Sequence, residues 1–218
     1  MSIRTDMAVE SFSQAGGAEK LQGVKVKNKV IENARLEVTD ITIETQEAAE
    51  KLGRPVGRYI TLTATDSTFD MYSDSFHERA EVIAKAIGEL CGGCERFLAV
   101  GLGNYALTSD AVGPLTAEKI FATRHIKSLA KEIDTEDLGE VTVIQPGVLG
   151  NTGIESSEQV KAIAERVTPQ AVIAVDALAC SELTNLGRTI QLCNTGISPG
   201  SGIENARKEL SLSTLGVK

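Results

Sequence analysis

Two short apolar stretches, Phe97-Leu-Ala-Val-Gly-Leu-Gly103 and Ala171-Val-Ile-Ala-Val-Asp176, decide the fold of this chain. Runs of this length without polar alternation are typical of strands buried in a parallel sheet. Asp176 ends the second run, and Asp110 follows the first after a glycine-containing segment. Open α/β sheets bind ligands at the carboxyl ends of their strands, so two carboxylates at that edge can share one site. Such a pair can supply one acid and one base.

The composition is that of a globular protein with an aliphatic core. The 218 residues are 42% hydrophobic and 24% charged, and they contain no Trp. A net charge of −8 argues against direct nucleic-acid binding, which needs a basic footprint. No apolar run is long enough for a membrane span, and the N-terminus does not resemble a signal peptide. The chain is therefore predicted to be cytoplasmic, without a membrane partner.

The four cysteines are predicted to be reduced thiols, as expected in the cytoplasm. Cys91-Gly-Gly-Cys94 has the spacing of a redox or zinc motif, but it closes a helical stretch and precedes a strand. A thioredoxin-like pair follows a strand and opens a helix, and a zinc site needs two more ligands. The favoured interpretation is a turn with packing thiols.

Alternating strands and helices predict a single α/β domain over 1–218. The fold class is α/β, with a mostly parallel central sheet, helices on both faces and a small N-terminal antiparallel meander. The meander lies within an appendage at 20–65, attached to the edge of the main sheet, and the core spans 95–216. Predicted strands cover 24–30, 36–43, 59–63, 97–100, 141–144, 171–175 and 189–192, and predicted helices cover 44–52, 73–90, 115–126 and 156–167.

Three glycine-rich segments follow predicted strands and are candidates for lining the site. Glycines let backbone N–H groups approach a substrate or stabilise an oxyanion. No dinucleotide fingerprint or Walker lysine is present, so no cofactor is predicted. Taken singly, each segment is better explained as a tight turn between a strand and a helix, and only the three together with the two aspartates favour a site. Beyond Gly101 and Gly103, the candidate glycines are Gly147, Gly150, Gly153, Gly200 and Gly202.

The chain resembles the germination protease family of spore-forming bacteria over nearly its whole length. The resemblance rests on several segments that occur in the family's order with similar spacing. The N-terminal Arg4-Thr-Asp-Met-Ala-Val-Glu10 is similar to the family's processing site. The other segments are Val100-Gly-Leu-Gly-Asn104, Thr108-Ser-Asp-Ala-Val-Gly-Pro114, Thr123-Arg-His125, Pro146-Gly-Val-Leu-Gly-Asn-Thr-Gly-Ile-Glu155, Val175-Asp-Ala-Leu-Ala179 and Pro199-Gly-Ser-Gly202.

The resemblance implies an atypical aspartic endopeptidase, made as a zymogen, that degrades small acid-soluble spore proteins during germination. It implies Asp110 and Asp176 as the catalytic pair, a propeptide-like segment at 1–6 and a processing bond between Asp6 and Met7. It also implies a homo-oligomer in the spore core and a fold similar to that of the hydrogenase maturation endopeptidases. No metal ligand set is predicted, although those similar enzymes make metal dependence a minor alternative.

Several alternatives stay open at this point. The family continues beyond the position of Lys218, so a truncated, catalytically inactive fragment or binding module of the same fold is the second reading. A third is a small-molecule enzyme of phosphorylase-like architecture that binds an anion, although 147–155 and 198–202 carry no basic residue. For Asp110 the structural alternative is a helix N-cap, and for Asp176 a cap of the next turn. His125 is expected about 20 Å from Asp110 along a continuous helix.

Overall fold

Two β-sheets, one antiparallel and one parallel, form in the computed structural model. The structure describes residues 5–16, 22–66, 68–69, 72–129, 134–135, 138–198 and 209–217. These residues form two compact units: an N-terminal unit within 1–92 and 178–195, and a C-terminal unit within 93–177 and 196–218. The chain thus leaves the C-terminal unit just after Asp176 and Ala177 and returns to it at Gly196.

The N-terminal unit is built on the antiparallel sheet, with strand order β1-β2-β3-β7. Period-two alternation places Ile41, Ile43 and Tyr59 in one core with helices α1 and α2, and Ile60 and Leu62 in another with α3. Both faces of the sheet are therefore covered. The elements are α1 Ala8–Gln14, β1 Val24–Ile31, β2 Leu36–Ile43, α2 Gln46–Leu52, β3 Gly57–Ala64, α3 Phe76–Cys91 and β7 Thr189–Cys193.

The predicted meander is present, but its attachment to the edge of the main sheet is wrong. It forms its own sheet, completed by β7, which pairs antiparallel with β3 from Tyr59–Cys193 to Thr63–Thr189. The strand at 189–192 was predicted to belong to the parallel core. A short apolar run indicates a buried strand, but it does not indicate which strand it pairs with.

The C-terminal unit is built on the parallel sheet, with order β5-β4-β6 and β4 in the centre. Leu98 and Val100 of β4 pack with Val160 and Ala164 of α7, while Gly101 faces α4. The predicted covering of both sheet faces by helices is confirmed for β4. The elements are β4 Arg96–Gly101, α4 Val112–Lys119, α5 Arg124–Leu129, β5 Glu140–Ile144, α6 Leu149–Thr152, α7 Ser156–Val167, β6 Ala171–Val175 and α8 Leu212–Leu215.

The continuous helix predicted over 115–126 is wrong. Helix α4 ends at Lys119, Ile120 is extended, and α5 begins at Arg124. The buried Thr123 explains the break, since its hydroxyl donates to Gly139 O (2.5 Å) and accepts from Val141 N (2.8 Å). These bonds anchor the start of β5, so the helical estimate of the distance from Asp110 to His125 does not apply.

Cys91 is the last residue of helix α3, and Cys94 follows the turn that ends the helix, as the favoured interpretation predicts. Gly92 is the C-cap in the left-handed conformation (φ 60°), and all four cysteines are half-buried thiols. Within the described part of the chain, no helix is both long and apolar enough to cross a membrane.

Candidate active site

The carboxyl ends of β4, β5 and β6 define one edge of the C-terminal unit. The three strands are in parallel register, with Val100 opposite Ile144 and Gly101 opposite Val175. The bond from Leu102 N to Val175 O (2.9 Å) extends the β4–β6 ladder past the end of β4. Since α4 and α7 pack on opposite faces of β4, this edge is a topological switch point, where open α/β sheets bind their ligands.

Asp110 lies at this edge, in a 3-10 turn (Thr108–Asp110) before α4. Its Oδ2 accepts the N–H of Asn104 at 2.8 Å, which ties the turn to the loop after β4. Gly103 (φ 115°) packs against the Asp110 backbone so closely that a side chain there has no room. The N-cap alternative for Asp110 is wrong, because Ala111 holds the N-cap position of α4 and the carboxylate binds a loop amide instead.

Asp176 follows β6 directly, and its Oδ1 accepts the N–H of Ala177 at 2.9 Å. Gly113 links the two aspartates, because it packs against both Leu102 at the end of β4 and Val175 at the end of β6. Asp110 is three residues before Gly113, a span of at most ~11 Å, and Asp176 is one residue after Val175. The structure therefore brings the two predicted carboxylates, both half-buried, to the same edge.

The glycine segment after β5 leaves the same edge and is only partly suited to the predicted role. Gly147 (φ 72°) accepts a bond from the Ser156 hydroxyl at 2.8 Å, which fixes the loop to α7. Ser156 is thus the first residue of α7, and Glu155 holds the N-cap position. Gly153 N donates to Leu149 O (2.8 Å), so its amide is engaged and cannot serve as an oxyanion donor. Gly200 and Gly202 lie outside the described residues.

The predicted processing bond is held tightly in the N-terminal unit. Asp6 N donates to Ala179 O (2.9 Å), and the Gln191 side-chain amide binds both Asp6 O (3.2 Å) and Ala8 N (2.6 Å). Met7 is 1% exposed. Residues 5–8 are short and mostly polar, which favours a loose end, but a buried apolar side chain and a glutamine 183 residues after Ala8 fix them.

Glu10 is the important residue that the sequence reasoning did not single out. The residue is 4% exposed. Its carboxylate accepts hydrogen bonds from Ser181 N (2.8 Å), Ser181 Oγ (2.5 Å), Glu182 N (3.3 Å) and Asn185 Nδ2 (2.7 Å). We call these donors the Glu10 cage. They lie just after Asp176 in the chain. The sequence did carry one signal for Glu10. It lies three residues after Met7, and an acidic residue at this spacing can cap the start of a helix.

Burial alone would raise the pKa of Glu10, but the hydrogen bonds from Ser181, Thr5 and Asn185 outweigh it and lower the pKa from 4.5 to about 2. A lowered folded-state pKa stabilises the fold above pH 4.5, and this contribution is lost as the pH falls toward 2. At neutral pH it amounts to about 3 kcal/mol.

Glu10→Gln is accordingly expected to lower the free energy of unfolding by about 3 kcal/mol at pH 7, because an amide group would face a cage of donors. The deficit relative to the wild type is expected to shrink as the pH falls to 3. Urea unfolding across this range measures it, with Glu32→Gln, in the exposed turn after β1, as the matched control. A deficit that does not change with pH would contradict the assignment.

Fold and site together define an α/β protein with a pair of carboxylates at the ligand-binding edge of a parallel sheet. No three or more His, Cys, Asp or Glu side chains among the described residues are arranged to hold a metal ion.

Comparison with known proteins identifies the family. The sequence model for germination protease matches residues 3–218. The germination protease of Clostridium tetani is 40% identical over 223 aligned residues, covering 100% of this chain and 68% of that protein. That of Clostridium perfringens is 38% identical, with 99% and 67% covered, and that of Oceanobacillus iheyensis is 36% identical, with 99% and 61% covered. The chain belongs to the germination protease family.

Membership confirms the resemblance identified in the sequence. The family is one of peptidases, which are hydrolases, and its role lies in spore germination. The two aspartates therefore occur in a fold whose family carries out peptide hydrolysis.

Proposed function

We propose that the chain is an endopeptidase that degrades small acid-soluble spore proteins during germination, with Asp110 and Asp176 as its catalytic pair. The observation that supports this most directly is the placement of both carboxylates at one carboxyl edge of the parallel sheet in a member of a peptidase family. We further propose that it acts as a homo-oligomer in the spore core and needs no cofactor.

The proposed mechanism uses one carboxylate and one carboxylic acid. One member of the pair is proposed to act as the ionised base and the other as the protonated acid. The ionised group takes a proton from water, and the resulting hydroxide attacks the scissile carbonyl carbon. The protonated group then gives its proton to the leaving amine as the C–N bond breaks. The acid and base roles are assigned here to the pair and not to either aspartate alone.

Local hydrogen bonds support this use of the aspartates. The amides of Asn104 and Ala177 each orient one oxygen of a carboxylate, so the side chains need little reordering before reaction. We propose the amides of Gly147 and Gly150 as donors to the developing oxyanion. Gly150 has open space beside its Cα, which suits a peptide approaching closely.

The function is tested by incubating the protein, and a version extended at its C-terminus, with a purified small acid-soluble spore protein. Cleavage at a few defined bonds supports the endopeptidase. A truncated, inactive fragment predicts cleavage by the extended version alone, and a binding module predicts binding without cleavage in both versions. Mass spectrometry of the products distinguishes the three outcomes.

We also propose that the chain is made as a zymogen and processed between Asp6 and Met7. Since that bond is held by Ala179 and Gln191 and Met7 is buried, the segment has to detach before it can be cut. Processing is then controlled by the opening of residues 5–8 as well as by the catalytic pair.

Gln191→Ala is expected to expose this segment, because it removes two hydrogen bonds to the backbone of residues 6 and 8. At about 1 kcal/mol for each bond, the open population rises roughly 30-fold. Hydrogen exchange at the Ala8 amide and the rate of limited proteolysis report it. Gln170→Ala, which removes side-chain bonds to Glu95 N and Arg96 N in the C-terminal unit, is the control. Equal exchange rates at Ala8 in both variants would refute the prediction.

A further inference from the structure

The Thr5 hydroxyl lies between the Met7 amide and the Glu10 carboxylate. Met7 N donates to Thr5 Oγ1 at 3.0 Å, and the same hydroxyl is hydrogen-bonded to Glu10. Met7 is the N-cap of α1 and Glu10 is its third residue. At this spacing a carboxylate can reach back to the backbone nitrogen of the cap. In the intact chain, Thr5 bridges the two groups.

Cleavage between Asp6 and Met7 would change the chemistry at this point. Hydrolysis breaks the C–N bond, gives the water oxygen to the Asp6 carbonyl carbon and leaves an amine on Met7. The amine takes up a proton at neutral pH, since α-amino groups have pKa values near ~8. The bridging Thr5 leaves with residues 1–6, while Glu10 keeps its bonds to Ser181, Glu182 and Asn185.

We propose that Glu10 is the receptor for the α-ammonium group of Met7 in the processed chain. The ion pair replaces the Thr5 bridge and joins the new N-terminus to the Glu10 cage. The first residue of the cage, Ser181, lies five positions after Asp176 in the chain. The inference rests on the proposed processing for its biological role, but its chemistry is testable without it.

Burial and charge favour this pairing. Glu10 is 4% exposed, so the attraction of its carboxylate to an adjacent ammonium is weakly screened by solvent. Arg54 lies nearby and donates to Thr5 O and to the Ser11 hydroxyl, not to Glu10. Other charged groups on the elements packed against α1 have partners of their own. Lys51 pairs with Glu47, Arg58 pairs with Asp40 and Glu89, and Glu50 accepts from the neutral side-chain amide of Gln46. Glu37 of β2 is exposed, and the carboxyl group of Glu182, on the segment that carries the cage, is exposed as well.

The test measures the pKa of the Met7 α-amino group. A chain beginning at Met7 is released from an N-terminal fusion by a fusion-specific protease. With ¹³Cα-labelled methionine, only Met7 and Met71 give signals, because Met1 is absent. The α-amino pKa is expected at least one unit above its ordinary value of ~8, which makes the ammonium at least tenfold less acidic. Glu10→Gln is expected to return it to the ordinary value, and Glu37→Gln, on the exposed side of β2, is the matched control and is expected to leave it raised.

A second measurement covers the case in which Glu10→Gln does not fold. Acetylation of Met7 removes the ammonium without touching the cage, and it is expected to lower the urea midpoint of the processed chain. An ordinary α-amino pKa in the folded chain overturns the inference, as does an equal midpoint after acetylation. Failure of the free-ammonium chain to fold also overturns it, because the ammonium would then not replace Thr5.

The inference and the proposed function fail separately. N-terminal mass spectrometry of the intact protein shows whether Asp6–Met7 is cut. Correct processing with an ordinary α-amino pKa overturns only the Glu10 receptor. A raised pKa without any processing supports the receptor and overturns the proposed zymogen.

Discussion

Asp110→Asn and Asp176→Asn are each expected to lower kcat for cleavage of a small acid-soluble spore protein by at least ~1000-fold. Asparagine can neither take a proton from water nor give one to the leaving amine. Each substitution keeps the shape of the side chain and one oxygen. The bonds from Asn104 N to position 110 and from Ala177 N to position 176 can therefore persist.

The fold should survive both changes, which separates catalysis from structure. Urea unfolding of each variant is expected to match the wild type within about 1 kcal/mol, since each acceptor is retained. Glu118→Gln, on the exposed side of α4, is the control for removing a carboxylate close to Asp110 in the chain. Wild-type cleavage by either aspartate variant would eliminate the catalytic pair. Loss of cleavage in the Glu118 variant would show that net charge, not chemistry, is responsible.

The sequence predicted which edge of the parallel sheet carries the two aspartates, because the signals there are local. The apolar runs that become β4 and β6 are short and unbroken, and an aspartate follows each of them. Strand pairing could not be read in the same way. Cys193 pairs with Tyr59, a partner 134 positions earlier, and nothing in the apolar pattern of β7 indicates that choice.

The N-terminal segment escaped prediction for a related reason. Thr5-Asp6-Met7-Ala8 is short and mostly polar, which favours a loose end. Its order comes from Ala179, Gln191 and the cage around Glu10, all more than 160 residues away in the chain. A propensity that is weak locally was overridden by tertiary contacts that the local pattern does not encode.

Gly113 shows a third limit of prediction from sequence. A glycine is needed there because neighbouring backbone leaves no space for a side chain, not because the backbone conformation requires it. It is the second residue of α4, where any residue has suitable backbone angles. A Cβ there would lie 2.5 Å from Val175 O and 2.6 Å from Leu102 N, and closer still to Leu102 O. All three are backbone atoms at the ends of β4 and β6, so no side chain can move away to relieve the clash.

Gly113→Ala is therefore expected to lower the free energy of unfolding by about 3 kcal/mol or more. The added methyl group forces α4 away from both strands and strains the bond from Leu102 N to Val175 O. Because Asp110 moves with α4 and Asp176 follows β6, cleavage should fall with stability even though both carboxylates are intact.

Gly88→Ala in α3 is the matched control for this change. It lies inside a helix with open space where its Cβ would be, and alanine there is expected to stabilise the protein by about 0.5–1 kcal/mol. Urea unfolding and the cleavage assay, run on both variants, measure the contrast. Wild-type stability in the Gly113 variant would mean that α4 can move away from the strands without strain, and the close α4–strand contact would then not hold the two aspartates in place.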